Sequence, residues 1–149
     1  MSVHTFRTEL LIPRPRAEVF PFFGDAVNLE TITPPWLKFE VLTPKPIAMR
    51  VGTLIDYRIK IHGIPISWRT EIVAWNPPHN FVDTQLRGPY KLWHHTHRFE
   101  EKDGGTLCID EVRYAPRGGA LINALFVRRD VTQIFEYRRQ RLEQLFGKR

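Results

Sequence analysis

The sequence predicts an α+β fold with one strand, two short helices, a run of antiparallel strands and one long C-terminal helix. Segments between Gly52 and Ala115 alternate apolar and polar residues with the period of two expected of half-buried strands. Residues 119–149 instead carry apolar residues at helical spacing. The length of 149 residues fits one domain, because domains usually hold roughly 100–200 residues. We therefore expect residues 1–149 to form a single domain.

The first elements are a strand and two short helices. Residues 3–12 fit a strand that precedes a Pro-Arg-Pro turn. Pro15 then lies where the first turn of a helix tolerates proline, and Val19, Phe20 and Phe23 give residues 17–23 an apolar face. A second short helix is predicted over residues 25–32, and a short strand over residues 38–42.

Five longer strands are predicted to follow as an antiparallel meander. The clearest covers residues 54–61, where Ile55, Tyr57 and Ile59 alternate with charged residues. The others cover residues 66–72, 80–86, 90–100 and 106–114, separated by short turns rich in glycine and proline. With the two N-terminal strands, the chain holds about seven strands.

The C-terminal helix is predicted to bury one apolar stripe. At about 100° per residue, one face collects these residues: Ala124, Val127, Val131, Phe135, Leu142 and Leu145. Arg138 falls in the middle of that face, so one arginine points into the interior. The other arginines of the helix lie on its flanks, as expected of a solvated surface.

Strand parity places polar and aromatic side chains together on the inner face of the sheet. In residues 90–100, Trp93, His95 and His97 share a face with Phe99. Residues 80–86 and 106–114 leave two choices of face, one of which turns Phe81 and Val112 inward. With that choice the inner wall opposite Arg138 collects the following residues: Tyr57, Trp68, Asp83, Gln85, Trp93, His95, His97, Asp110 and Tyr114.

This inner set favours a ligand cavity over a packed core. Buried charges are costly unless they are paired and hydrogen-bonded, whereas an aromatic pocket with a few convergent polar groups is typical of a small-molecule site. The competing interpretation is an internal network in which Arg138, an aspartate and a histidine only hold the helix on the sheet. His95, His97 and Asp110 have side chains that suit zinc, but histidines hydrogen-bonded in a wet pocket are more common, so we predict no metal.

The composition and the absence of certain motifs argue against nucleic-acid binding, cofactor use and serine catalysis. The chain has 22 Lys+Arg against 16 Asp+Glu, a net charge of +6, and 12% aromatic residues. The aromatics follow the inner strand parity, whereas base-stacking platforms are exposed, so we do not expect nucleic acid as a partner. Neither a glycine-rich phosphate loop nor a Gly-x-Ser-x-Gly elbow occurs, and we expect no cofactor and no serine acyl transfer.

Cysteine usage and hydropathy predict the compartment. Cys108 is the only cysteine, which excludes an internal disulfide and favours a buried structural thiol. The sequence has neither a signal-peptide pattern nor an apolar run of membrane-spanning length. We therefore expect a cytoplasmic protein without stable membrane anchoring. Val82 and Leu86 on the outer sheet face leave room for a homodimer.

The order of elements and a set of motifs resemble the START-like superfamily, also called SRPBCC, which has the helix-grip fold. The superfamily includes the birch-pollen-allergen class and the polyketide cyclase and dehydrase class, and the similarity is greater to its small bacterial ligand-binding proteins. The motifs span nearly the whole chain: Pro15-x-x-Glu18-Val19-Phe20, Asn28-Leu29-x-x-Ile32-Thr33-Pro34-Pro35-Trp36-Leu37, Pro65-x-x-Trp68, Trp75-x-Pro77-Pro78, Phe81-Val82-Asp83-x-Gln85-x-x-Gly88-Pro89-Tyr90-x-x-Trp93-x-His95-x-His97-x-Phe99, Asp110-x-Val112-x-Tyr114 and Ile134-Phe135-x-Tyr137-Arg138.

The resemblance implies a curved seven-stranded sheet around the long helix, with a cavity for lipids, sterols or polyketides between them. The first functional hypothesis is a binding protein for a small apolar or amphipathic molecule. The second is a cofactor-free cyclase, dehydratase or isomerase in which His97, Asp110 or His95 supplies acid/base chemistry. The third is an interaction domain whose inner network is only structural. The fold alone does not choose between carrier and enzyme.

Overall fold

The computed structural model describes residues 2–147, and Met1, Lys148 and Arg149 lie outside the described residues. Seven strands form the sheet: β1 (His4–Ile12), β2 (Glu40–Val41), β3 (Leu54–Ile61), β4 (Ile64–Asn76), β5 (Asn80–Arg87), β6 (Tyr90–Lys102) and β7 (Gly105–Pro116). The helices are α1 (Arg16–Phe23), α2 (Asn28–Ile32), α3 (Gly119–Ile122) and α4 (Arg128–Phe146). A π-helical segment, Asn123–Val127, joins α3 to α4.

The strands form one antiparallel sheet in the order β1-β7-β6-β5-β4-β3-β2. Consecutive strands from β2 to β7 pair as hairpin neighbours, and β1 closes the other edge on β7. The sheet curves around the C-terminal helix, and α1 and α2 follow the first strand. The predicted α+β fold with a long C-terminal helix is therefore confirmed.

The element boundaries differ from the predicted ones mainly at irregular segments. The second helix begins at Asn28 rather than at residue 25, and the short strand contains only Glu40 and Val41. On the C-terminal helix, Val131, Phe135, Arg138 and Leu142 are buried as predicted.

Two residues of the predicted apolar stripe are exposed instead. Ala124 belongs to the π-helical segment, whose wider turn shifts it away from the sheet. Leu145 is exposed in the last turn of α4. The stripe predicted from a uniform helical period is therefore wrong at both ends of the helix.

The interior has two parts. At one end, α1 packs on the sheet, and Phe20 makes edge contacts with Phe81 and Phe99 in a core that includes Ile12, Val19 and Leu142. At the other end, an aromatic cluster lies between β3, β4, β6 and α4 and includes Trp68, Tyr90, Tyr114 and Phe135. This second part surrounds a cavity. Among residues 2–147, no helix is both long enough and apolar enough to cross a membrane.

Candidate functional site

The cavity lies between the inner face of the sheet and the C-terminal helix and has a volume of about 160 Å³. Most of its wall is apolar, and one side is polar. The apolar wall includes Phe23, Leu37, Phe39, Ile55, Tyr57, Ile59, Trp68, Tyr90, Trp93, Ile134 and Phe135. The polar side consists of Thr70, Asp83, His95, His97 and Arg138.

The aromatic wall is held by cross-strand pairing and one threonine. Tyr57 on β3 lies directly opposite Trp68 on β4, and their rings stack with centroids 5.8 Å apart. Thr70 Oγ1 accepts a hydrogen bond from Trp68 Nε1 at 3.1 Å and lies 3.1 Å from the Tyr57 hydroxyl. Burial raises the pKa of Tyr57 far above its ordinary value. This wall therefore presents rigid aromatic rings whose polar atoms already have partners.

Two imidazole–carboxylate pairs form the polar side. Asp83, His95, His97 and Asp110 lie on one face of three neighbouring strands, because Asp83 is opposite His95 and His97 is opposite Asp110. The hydrogen bonds run along the diagonals: His97 Nε2 to Asp83 Oδ2 at 2.6 Å, and His95 Nε2 to Asp110 Oδ1 at 2.8 Å. The two imidazole rings stack 3.6 Å apart, and Phe81 stacks on His97 at 4.0 Å.

The pKa values of this group favour ionised carboxylates beside a neutral His97. Burial and the neighbouring His95 together lower the pKa of His97 to about 4, against the opposing effect of its hydrogen bond to Asp83. Burial alone would raise the pKa of Asp110, but the charge of Arg138 and the hydrogen bond from His95 outweigh it, so the pKa lies well below its usual range. Asp83 shows the same balance, because its hydrogen bond from His97 outweighs burial and lowers its pKa. At neutral pH the His97 N–H donates to an Asp83 carboxylate.

Arg138 contributes the guanidinium predicted from the helical wheel. The residue is only 8% exposed, and the guanidinium carbon lies 5.3 Å from the Phe23 ring centroid and 5.7 Å from that of Phe135. Nη2 lies 3.7 Å from Asp110 Oδ1, which is an ion pair without a hydrogen bond. Nε and Nη2 are buried and have no hydrogen-bond partner within residues 2–147. The arginine therefore presents unsatisfied N–H groups beside the cavity.

Seven of the ten predicted site residues line the cavity: Tyr57, Trp68, Asp83, Trp93, His95, His97 and Arg138. The other three, Gln85, Asp110 and Tyr114, do not. Gln85 Nε2 donates to the Tyr90 carbonyl at 2.8 Å, and its Oε1 accepts from the Tyr90 N–H at 3.1 Å. Asp110 is a partner of His95 and Arg138, and the Tyr114 hydroxyl donates to Asn123 Oδ1 at 2.8 Å.

For each of these three residues, a local feature of the fold explains why it does not line the cavity. The β5–β6 turn brings Tyr90 next to Gln85, and strand parity carries no information about that turn. Asp110 does face inward, but the histidine and arginine side chains separate it from the cavity. Tyr114 is covered because the π-helical segment turns Asn123 toward it. Gln85, Asp110 and Tyr114 therefore lie outside the lining of the inner cavity, and their role in ligand binding stays a prediction.

Sequence reasoning missed several lining residues that come from outside the central strands. Phe23 ends α1, Leu37 ends the turn after α2, and Phe39 precedes β2. Thr70 shares its strand face with Trp68, so parity could have identified it. Phe135 lies three residues before Arg138 on the helix face that was predicted to be buried, although it was not named as a site residue.

A second cavity of about 370 Å³ adjoins the first and lies nearer the surface. Leu37, Ile61, Tyr90 and Ile134 line both cavities and stand between them. The outer cavity also contacts the β3–β4 hairpin, the end of β7 and the start of α4. Its other lining residues are Trp36, His62, Gly63, Pro89, Pro116, Arg117, Val127, Asp130 and Gln133.

Three side chains of the inner cavity have the chemistry of metal ligands. One potential ligand atom from each of Asp83, His95 and His97 lies within 4.8 Å of the others. Asp83 and His97 are hydrogen-bonded to each other, however, and His95 is bonded to Asp110. A cation would have to replace these hydrogen bonds, and it would lie near the guanidinium of Arg138, whose Nη2 is 3.7 Å from Asp110 Oδ1.

The sequence is similar to one protein family, and the fold is similar to those of many solved structures. The family described as "Polyketide cyclase / dehydrase and lipid transport" matches residues 12–143. No curated protein matches the sequence. Solved structures match over nearly the full chain, among them Ara h 8.0201 with a TM-score of 0.71, 20% identity, and coverage of 97% of this chain and 98% of that one.

Other structural matches come from a plant and a bacterium. Ginseng major latex-like protein 151 from Panax ginseng has a TM-score of 0.71 and 13% identity, with 97% of each chain covered. Protein CV1439 from Chromobacterium violaceum has a TM-score of 0.75 and 14% identity, with 97% of this chain and 98% of that chain covered. At these identities the likeness concerns the fold.

Proposed function

The chain belongs to the polyketide cyclase/dehydrase and lipid transport family of the START-like superfamily, and from this premise we propose that its cavity binds a small apolar molecule with one polar end. The observation that carries the proposal is the buried Arg138, whose Nε and Nη2 have no hydrogen-bond partner within residues 2–147. A buried donor without an acceptor is costly, and a ligand oxygen would satisfy it. Lipids, sterols and polyketide-like molecules combine such an oxygen with an apolar body.

The charge of the polar side favours a neutral oxygen over a carboxylate. Asp83 and Asp110 bring two negative charges, Arg138 brings one positive charge, and His97 is neutral. Even a protonated His95 would only bring the sum to zero, so an anionic ligand would add an uncompensated buried charge. A carbonyl or hydroxyl group that accepts from the guanidinium avoids this cost.

The dimensions favour a ligand that occupies both cavities. The inner cavity of about 160 Å³ is similar to a site of about 150 Å³ that holds benzene. The inner and outer cavities together fall within the range of roughly 300–1,000 Å³ typical of small-molecule sites. A ring or short chain would lie on the aromatic wall beside Trp68 and Trp93. The remainder would pass Tyr90 and Leu37 into the outer cavity.

A ligand panel tests the proposal. We expect native mass spectrometry of the purified protein to detect a co-purified apolar molecule, and sterols, aromatic polyketides and fatty alcohols to raise the melting temperature. A fatty alcohol should stabilise more than the fatty acid of equal chain length, because the carboxylate meets the negative cluster. No bound molecule and no thermal shift from any compound would overturn the proposal.

Replacing Arg138 separates ligand binding from structural support. In Arg138→Leu we expect a lower free energy of unfolding, because Asp110 loses the guanidinium that lowers its pKa and keeps only its hydrogen bond from His95. The same variant should lose most of the ligand-induced thermal shift. Arg141→Leu, on the same helix but outside the cavity, is the matched control and should keep that shift. A loss of several kcal/mol in Arg138→Leu without a change in ligand binding would favour the purely structural network.

A cofactor-free isomerase, cyclase or dehydratase is the second candidate. The observation in its favour is the His95–Asp110 pair at the cavity wall, in which the carboxylate orients the imidazole and leaves Nδ1 able to accept a proton. His97 suits this role less well, since its Nδ1 is buried and burial lowers its pKa to about 4. In such a reaction His95 would take a proton beside a ligand carbonyl, and Arg138 would stabilise the enolate oxygen. Turnover of a carbonyl ligand that persists in His95→Gln would exclude this assignment.

The remaining expectations belong to the same proposal. We treat residues 1–149 as one ligand-binding domain that acts in the cytoplasm without a cofactor. A homodimer through the outer sheet face stays a prediction, which the mass of the protein in solution would check.

A further inference from the structure

An exposed apolar surface lies at the start of the C-terminal helical region. Leu121 is 69% exposed, and Leu125 and Phe126 are each 57% exposed. Leu121 belongs to α3, and Leu125 and Phe126 belong to the π-helical segment that follows it. The π-helical segment turns Asn123 inward to accept the hydrogen bond from Tyr114, which leaves its apolar neighbours outside.

The chain segment that carries this surface is basic. Residues 112–129 contain four arginines and no acidic residue, although the whole chain has a net charge of only +6. Arg117, Arg128 and Arg129 are exposed beside the apolar residues. The next acid along the chain, Asp130, is held by His62 Nε2 at 3.0 Å. We call Leu121, Leu125, Phe126, Arg128 and Arg129 the helix-start surface.

The helix-start surface adjoins the outer cavity. Arg117 precedes it and Val127 lies within it along the chain, and both line that cavity. The tip of the β3–β4 hairpin, where Gly63 lines the same cavity, exposes Ile64 at its side. The rim of the cavity therefore combines large exposed apolar side chains with arginines.

We propose that the helix-start surface docks the protein on anionic lipid bilayers. Exposed Leu and Phe side chains insert at the boundary between headgroups and acyl chains, and flanking arginines bind the negative headgroups. Nucleic acid would engage the arginines but would leave Leu121, Leu125 and Phe126 without an apolar environment. The docked orientation turns the rim of the outer cavity toward the bilayer, where an apolar ligand can pass without crossing water.

Co-sedimentation of the full chain with vesicles tests the proposal. We expect binding to vesicles of phosphatidylcholine mixed with phosphatidylglycerol, weak binding to phosphatidylcholine alone, and release at high salt. Replacing two arginines in Arg128→Gln/Arg129→Gln should lower the partition coefficient roughly thirtyfold, since each surface arginine contributes about fivefold. Leu125→Ser/Phe126→Ser should lower it by at least tenfold, since bilayer binding also scales with buried apolar area.

A matched control is available at the opposite end of β3. Arg50→Gln/Val51→Ser removes one exposed basic and one exposed apolar residue near Leu54, far from the hairpin tip, and should leave vesicle binding unchanged. Far-UV circular dichroism and the melting temperature would show that each variant is folded. Arg128→Gln/Arg129→Gln changes only exposed side chains and should fold normally. It therefore still tests the proposal if Leu125→Ser/Phe126→Ser is unstable.

Several outcomes would overturn the proposal. These are absent binding to anionic vesicles at low salt, equal binding to neutral vesicles, or binding that survives Leu125→Ser/Phe126→Ser. If sedimentation velocity shows a dimer that is lost in Leu125→Ser/Phe126→Ser, the surface would instead bind a second copy of the chain. Binding to duplex DNA that the apolar pair leaves intact would assign it to nucleic acid. Ligand binding in the cavity is measured without vesicles, so either proposal can fail alone.

Discussion

The two ends of the interior lie on the same sheet but are covered differently. Where α1 packs on β6 and β7, the Phe20 ring meets Trp75, Phe81 and Phe99, and the space is filled. Around Trp68 and Trp93 the sheet faces α4 and the stretch from the end of α1 to the turn before β2, and a cavity remains. The buried ionisable side chains His95, His97 and Arg138 all line the open end. The difference indicates that short helices, rather than strand composition, decide which half of the sheet can take a ligand.

The largest expected effect comes from the filled end. Phe20→Ala should lower the free energy of unfolding by about 3–5 kcal/mol, because it creates a cavity among rings that cannot collapse onto it. The matched change at the open end is Phe39→Ala, which removes a ring packed on Tyr57 at 4.8 Å that also faces the cavity. It should cost less than about 2 kcal/mol, since a ring beside a void has fewer contacts to lose. Urea denaturation of both variants measures the difference.

Equal losses in the two phenylalanine variants would contradict the comparison, because they would mean that both ends are packed alike. Ligand binding offers a second measure. Phe39→Ala should weaken the ligand-induced thermal shift, whereas a folded Phe20→Ala protein should keep it.

The next effect concerns acid stability, which should arise at the open end. The pKa of His97 is lowered to about 4 in the folded protein by burial and by His95, against an ordinary value of 6.5. Between these two values the unfolded chain binds more protons, so stability is present above pH 6.5 and is lost as the pH falls toward 4. The loss should reach about 3 kcal/mol. The pKa values of Asp83 and Asp110 lie lower still. As the pH falls below 4, protonation of these carboxylates should therefore lower the free energy of unfolding further.

A pair of histidine variants isolates this contribution. His97→Gln keeps an N–H for Asp83 but cannot titrate, so its free energy of unfolding should change little between pH 6.5 and 4. His94→Gln, on the opposite face of the same strand, should retain the acid sensitivity of the wild type. The groups that face His97 are Asp83, Asp110, His95 and the nearby Arg138. An unchanged pH profile in His97→Gln would show that one of them carries the effect.

The site residues that could be predicted from the sequence lie on long regular elements, and those that could not lie on turns and short elements. Strand parity identified Trp93, His95 and His97 because they are regularly spaced on one long strand, and helical spacing identified Arg138. The positions of Gln85 and Tyr114 depend on a tight turn and a π-helical segment, and neither follows from a regular period. Phe23, Leu37 and Phe39 reach the cavity through tertiary packing of short elements. The regular elements were therefore predictable, and the residues that close the cavity were not.

The smallest effect tests the turn that positions Tyr90 between the two cavities. A Cβ at Gly88 would lie 2.5 Å from Gln85 Oε1, closer than non-bonded atoms allow, so Gly88→Ala must displace the Gln85 side chain. That movement breaks both hydrogen bonds between the Gln85 side chain and the Tyr90 backbone. We expect a loss of about 1–2 kcal/mol, since each bond contributes about 1 kcal/mol, and a weaker ligand-induced thermal shift because Tyr90 loses its fixed position.

A double-mutant cycle tests whether Gly88→Ala acts through the Gln85 side chain. Gln85→Ala should cost about the same as Gly88→Ala, and the double variant should cost no more than either, because the added methyl group then meets open space. Additive losses would mean that Gly88 is required for the backbone of the turn and not for the Gln85 side chain. Tyr90 would then be positioned by its contacts with Trp68 and Trp93 at 5.8 and 4.8 Å, and the separation of the two cavities would rest on the aromatic wall.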